Sequence, residues 1–263
     1  MKILFCLVSL FVAQHHQRYV VQGLAVPASV ADESSNNLAR WKDRWDTNVI
    51  GWHKDQVNDF IQAHGDKLLQ PPDDDESCST DNNGGIRVLV PLCGKSVDVA
   101  FFAKQSSVAQ VVGVDGIMKA LETFSAEHPD LEIKETDSIG SFRALKGKNI
   151  TLLKGDFFDL DDSATGGKFS GVYDRAAMVA IQPHLREKYV AILQRLIAPG
   201  GRILLATVEH DTGSGPPFSV WQLDLQTLYG SQDWVKSITQ LNPEETETDD
   251  KGRVTRWYLI QAM

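Results

Sequence analysis

From residue 86 to the C-terminus, short apolar runs alternate with segments whose apolar positions recur every three to four residues. The runs are too short for helices and are bounded by turn residues. They predict strands over Arg87–Leu92, Gln110–Asp115, Ile150–Asp156, Phe169–Tyr173 and Arg202–Val208. The periodic segments predict helices over Ser96–Gln105, Ile117–Glu127 and Leu185–Ile197, the last closed by Ala198-Pro199-Gly200-Gly201. Two further strands, Trp234–Leu241 and Arg253–Ile260, flank an acidic loop. Strands and helices in alternation predict an α/β domain: a mostly parallel, Rossmann-like sheet with helices on both faces and an antiparallel pair at one end. Ahead of it, helical patterns over Leu38–Asp46 and Lys54–Leu69 predict an N-terminal helical cap, with Trp41 and Trp45 on one face. The intervening QPPDDDESCSTDNNGG is polar and rich in Pro, Asp, Asn and Gly. It predicts an acidic, disordered surface insertion over 71–85 that carries no chemistry of its own.

The first residues have a different character. MKILFCLVSLFVA carries one Lys and then an apolar stretch from Ile3 to Ala13, too short to span a bilayer but suited to the core of a signal peptide. Residues 1–37 are therefore expected to be a targeting presequence, serving the secretory pathway or import into a plastid; without it the chain would be cytoplasmic. The catalytic unit is expected over 38–263, with no stable membrane insertion of the mature chain. Hydrophobic residues make up 42% of the chain, enough for one sizeable core. The net charge of −9 repels a phosphate backbone and argues against a nucleic-acid partner. Cys6, Cys78 and Cys93 show neither zinc-ligand spacing nor a disulfide framework, so no metal is expected.

Ligands of open α/β sheets bind at the carboxyl ends of the strands, near the point where strand order reverses. The first such end reads Pro91-Leu92-Cys93-Gly94-Lys95-Ser96. Gly94 allows one close backbone approach, but the three glycines that seat a pyrophosphate are missing. The expected ligand is thus a nucleoside without a diphosphate. Asp115 ends the second strand, where an acid commonly accepts from ribose hydroxyls; it could equally cap the following helix. Asp156 and Phe157 follow the third strand, a carboxylate for an exocyclic amine and an aromatic neighbour for a purine. Asp174 and Arg175 follow the fourth, where a reacting group would lie. Together these features describe a site for S-adenosyl-L-methionine.

WKDRWDTNVIGWH, RVLVPLCGKSVDVAFFA, VVGVD, GDFFDL, YDRAAMVAI and DTGSGPPFSV, taken in order, resemble the thiopurine S-methyltransferase family. The resemblance runs from about Trp41 to the C-terminus and is most distinctive in the PLCGKS turn and the DRxAxxAI segment. It implies a class I methyltransferase fold with seven strands in the order 3-2-1-4-5-7-6. It also implies roles for single residues. Trp41, Trp45, Leu92, Gly94, Asp115, Asp156, Phe157 and Arg175 would contact the cofactor. Trp52, where many members carry Phe, would face the acceptor together with Arg175 and Phe218 of the GPPF loop. Asp115 stands where mammalian relatives have Glu, and either acid can hold a ribose.

A thiolate is nucleophilic near neutral pH, so transfer to it needs alignment more than base catalysis. Arg175 is the candidate for stabilising that anion. No general base is assigned; His53 and Asp46 fit loop or helix capping better. The resemblance implies a small-molecule thiol acceptor, a detoxification role and a monomer. Small thiols or halides, or selenium and tellurium species, remain open as acceptors, as does a non-catalytic S-adenosylmethionine-binding protein.

Overall fold

A computed structural model describes residues 28–70, 85–244 and 246–263. The expected presequence up to residue 27 and the acidic insertion, but for its last residue, lie outside the described residues. The chain divides into two units between Asn37 and Leu38, and the sheet with its candidate site belongs to the unit Leu38–Met263.

Helix α1 (Ala28–Asp46) begins ten residues before the predicted start at Leu38. Helix α2 (Asp59–Leu68) starts five residues after the predicted Lys54, because the Asn58 side chain caps it by accepting from Phe60 N–H. The sheet contains β1 (Ile86–Pro91), β2 (Val108–Asp115), β3 (Lys134–Ile139), β4 (Phe142–Gly147), β5 (Ile150–Lys154), β6 (Phe169–Arg175), β7 (Ile197–Glu209), β8 (Val235–Leu241) and β10 (Val254–Ala262). A short strand β9 (Glu247–Thr248) pairs with the last of these. Helices α3 (Val97–Ala103), α4 (Met118–Glu127), α5 (Asp162–Thr165), α6 (Arg186–Leu196) and α7 (Gln222–Leu225) complete the unit.

The strand order is β3-β4-β5-β2-β1-β6-β7-β10-β8. Its inner seven strands, β5-β2-β1-β6-β7-β10-β8, reproduce the expected 3-2-1-4-5-7-6. The antiparallel β3–β4 hairpin extends the β5 edge and is absent from the predicted elements. Its outer strand, KETDSI, is polar and exposed almost throughout, so no apolar run announces it. The legible signal is the two-residue Gly140-Ser141 connection, with Gly140 at φ +57°. β7 also begins earlier than expected, taking up the Ala198–Gly201 segment as its first residues.

Strand alternation divides the core. Leu89, Val114, Val172 and Leu205 pack on one face with α6, while Val88, Val111, Tyr173 and Leu204 pack on the other with α2, α3 and α4. Buried Asp98 ties three elements on the second face. Its carboxylate accepts from the Tyr173 hydroxyl (2.8 Å) and from Asn58 N–H (2.9 Å), joining α3, β6 and the entry to α2. Leu89 is fully buried in β1. Leu89→Ala is therefore expected to destabilise the fold by about 3 kcal/mol, read as a lower midpoint in urea unfolding.

Candidate active site

β1, β2, β5, β6 and β7 run parallel, so their carboxyl ends share one edge of the sheet. Strand order reverses between β1 and β6, and the turns after these two strands face each other across that switch point.

The turn after β1 is held in an unusual backbone shape. Leu92 has φ +44° and Gly94 φ +54°, both left-handed. For Leu92 that conformation costs about 1–2 kcal/mol, so its surroundings must impose it. Cys93 N–H donates to Val114 O (3.0 Å), and Gly94 N–H donates to Asp115 Oδ2 (2.9 Å). Asp115 Oδ1 accepts from Ile117 N–H (2.8 Å). Asp115 thus caps the approach to α4 and braces the β1 turn at once. Each of its oxygens keeps a further lone pair for a ligand hydroxyl. Burial raises the Asp115 carboxyl to about pKa 6, against the two N–H bonds that favour its charge.

Because the folded value lies above the usual carboxylate range, the ligand-free protein is relieved of a buried charge as pH falls through 6. Asp115→Asn removes that charge at every pH. Its melting temperature relative to the parent should be most favourable at pH 7 and should decline toward pH 5. A flat difference across that range would place the ordinary carboxyl pKa at this position.

The cap supplies aromatic rings. Trp41 and Trp52 meet edge to face at 5.1 Å, and Trp45 and Trp52 at 6.1 Å, packed with Ile117 and Ala120 of the α4 turn. Trp45 is buried, and a Cβ at Gly94 would lie 3.1 Å from its ring. That close approach is a second reason for glycine at 94. Arg44, absent from the residues expected at the site, places its guanidinium over both Trp41 (5.9 Å) and Trp52 (5.8 Å). Its i, i+3 spacing from Trp41 was the available signal.

The residues after β5 divide. Asp156 is exposed at the rim and caps a short turn by accepting from Phe158 N–H (2.9 Å). Phe157 does not line an open cleft. Its ring is buried in the core and packs 4.9 Å from Tyr189 of α6, because the side chain points down into the α6 face. The ring expected beside a purine is thus packed against α6 in the ligand-free chain.

At the end of β6, Arg175 is half-buried, and its guanidinium has no hydrogen bond or ion pair among the described residues. The next residue, Ala176, is left-handed at φ +67°. The Arg175 charge reaches His53, beside Trp52. Burial first, then Lys95 and Arg175, push the His53 pKa down, while Asp55 at 3.3 Å opposes them. The cap also packs on β6 through α2, and Asp98 accepts from both Asn58 N–H and the Tyr173 hydroxyl. Phe218, half-buried, reaches the same turn through its N–H, which donates to Val179 O (2.6 Å). The preceding Pro217 carbonyl lies 2.8 Å from His210 Nε2. No ring contact joins Phe218 to Trp52 among the described residues.

An acid for hydroxyls, a turn without a pyrophosphate cradle and an unpaired guanidinium fit a nucleoside bearing a charged, phosphate-free tail. Comparison with known proteins agrees. Residues 36–258 match the family model described as thiopurine S-methyltransferase. A thiopurine S-methyltransferase of Pseudomonas fluorescens (strain Pf0-1) is 37% identical over 224 residues, 84% of this chain and 91% of that one. One of Pseudomonas putida (strain GB-1) is 37% identical over 232 residues, 85% and 98% of the two chains. In fold, the chain resembles the Burkholderia thailandensis 1,6-didemethyltoxoflavin-N1-methyltransferase crystallised with S-adenosylhomocysteine. That match has a TM-score of 0.57 at 14% identity and covers 95% of this chain and 98% of the other. The magnesium protoporphyrin IX methyltransferase of Synechocystis PCC 6803 gives a TM-score of 0.57 at 13% identity, covering 86% and 100%. The chain belongs to the thiopurine S-methyltransferase family and is an S-adenosylmethionine-dependent methyltransferase of the class I fold.

Proposed function

We propose that the methyl acceptors are thiopurines or other aromatic and small thiols, taken as thiolates. The observation that carries this reading is Arg175, a half-buried guanidinium with no partner among the described residues, at the switch point of the sheet. A cation left unpaired there favours an anionic ligand and lowers the pKa of a thiol that docks against it.

When bound, S-adenosylmethionine would supply a methyl group on a sulfonium sulfur; an acceptor thiolate would take that methyl in line, and the sulfonium would leave as the neutral thioether of S-adenosylhomocysteine. Asp115 accepts the ribose hydroxyls. Asp156 accepts from the adenine amine, and the Phe157 backbone borders the ring. Leu92 and Gly94 let the main chain approach the methionine end. Trp41 and Trp45 cover the cofactor and exclude water. Trp52 and Phe218 give the acceptor apolar walls, and Arg175 holds its sulfur as the anion. Alignment and water exclusion then carry most of the rate, since effective concentrations for well-oriented partners are worth about 7–11 kcal/mol. No side chain need remove a proton from an acceptor that is already a thiolate.

The reading is tested by turnover across acceptors of differing thiol pKa. At pH 7, kcat/KM should follow the thiolate fraction, with thiophenol and 6-mercaptopurine ahead of alkyl thiols. Preference for iodide, sulfide or selenite would move the acceptor class to small inorganic nucleophiles. The cap offers an independent check. Trp45→Ala removes the ring lying on Gly94 and should weaken S-adenosylhomocysteine by about tenfold, consistent with the 0.5–1.5 kcal/mol of an aromatic contact plus lost burial. Unchanged affinity by calorimetry would separate the cap from the cofactor.

A further inference from the structure

Asp174 is fully buried, yet no cation is paired with its carboxylate among the described residues. Such a group is costly to keep, and its hydrogen bonds show what it holds. One oxygen accepts from Met178 N–H (3.0 Å), closing the turn that follows β6. The other accepts from the Tyr189 hydroxyl (2.7 Å), fastening that turn to α6. Tyr229, also fully buried, lies near enough to feel the Asp174 charge, and its hydroxyl has no hydrogen-bond partner among the described residues. Asp174 is thus buried beside two tyrosines, Tyr189 and Tyr229.

Consecutive strand residues point to opposite faces. Tyr173 and Arg175 lie toward the cap, where the Arg175 charge reaches both His53 and Tyr173. Asp174 lies on the α6 side, with Tyr189 and Met178. Between Arg175 and the Met178 anchor the chain passes through left-handed Ala176, a conformation worth about 1–2 kcal/mol against a residue with a Cβ. The clamp from residue 174 to residue 178 holds that strained link, and Arg175 lies inside the clamped span.

We infer that Asp174 is a positioning residue for Arg175: its buried carboxylate, anchored by Tyr189, fixes the turn that presents the guanidinium to the acceptor. This rests on the reading of Arg175 given under Proposed function.

The test is a double-mutant cycle on the full chain, measuring kcat, KM and S-adenosylhomocysteine affinity with thiophenol as acceptor. The variants are Asp174→Asn, Tyr189→Phe, Arg175→Ala and the two doubles. In the parent background, Asp174→Asn should lower kcat/KM by about tenfold, with cofactor affinity held within a few-fold. Tyr189→Phe, which keeps the carboxylate, should lower it by a smaller factor and covers the case in which Asp174→Asn fails to fold. In the Arg175→Ala background, either change should cost less than about twofold more, because the residue being positioned is gone. Equal losses in both backgrounds, with Arg175→Ala itself impaired, would make Asp174 a general structural acid and overturn the inference alone. An unimpaired Arg175→Ala would overturn the reading of Arg175, and the inference with it.

Discussion

Arg175→Ala is expected to lower kcat/KM for thiol acceptors by about 100-fold while leaving S-adenosylhomocysteine affinity within a few-fold. The size comes from the place of the guanidinium. It is half-buried, has no partner among the described residues, and is carried on a turn closed by the Asp174 clamp. Removing one preorganised donor from a developing or bound anion costs about 2.7–4 kcal/mol. The loss should also depend on the acceptor. Under the proposed role, a thiol that is mostly neutral at the assay pH would depend on Arg175 to become a thiolate, so its rate should fall further than that of an acidic aromatic thiol. Initial rates across pH with two such acceptors check this. If cofactor affinity collapses instead, Arg175 belongs to the cofactor's side of the site.

Asp115→Ala should weaken S-adenosylhomocysteine by more than tenfold. Two effects combine. Under the proposed role the ribose would lose acceptors, each hydrogen bond to a charged group being worth about 1.5–3 kcal/mol. Gly94 N–H and Ile117 N–H lose the carboxylate that now braces the β1 turn and the start of α4. Asp115→Glu separates them, since it keeps the charge while moving the brace. The same carboxyl sets a pH dependence on binding. With its pKa raised to about 6, it is charged at pH 7 and protonated at pH 5, so affinity should fall as pH drops through 6. This runs opposite to its effect on the ligand-free fold, which is relieved of a buried charge over the same interval. Calorimetry at pH 7.5 and 5.5 checks the sign. An affinity that rises at the lower pH would remove Asp115 from the ribose.

The sheet was readable because its central strands are buried on both faces and so appear as unbroken apolar runs. Their parallel pairing then brings the ends of β1, β2, β5 and β6 to one edge without any further signal. The β3–β4 hairpin escaped because β3 is an exposed polar edge, where periodicity carries no information. Phe157 shows a different limit. Its position at the strand end was legible, but the direction of its ring depends on Tyr189, a partner 32 residues away on α6. The clamp on Met178 was equally hidden, since the sequence sets Asp174 beside Arg175 at a strand end but does not show that its carboxylate is buried on the α6 side. Leu92 gives no sequence sign of its left-handed backbone, which Cys93, Gly94 and Asp115 impose from outside.

The most direct test of the central claim is methyl transfer from labelled S-adenosylmethionine by the full chain. The acceptors would be thiophenol, 6-mercaptopurine, an alkyl thiol, sulfide, iodide and selenite. Methylated aromatic thiol should accumulate, with a kcat/KM at least tenfold above those of the inorganic acceptors. Aromatic thiols left unmethylated by a protein that binds S-adenosylhomocysteine would contradict the assignment of Arg175, Trp52 and Phe218 to a thiolate acceptor.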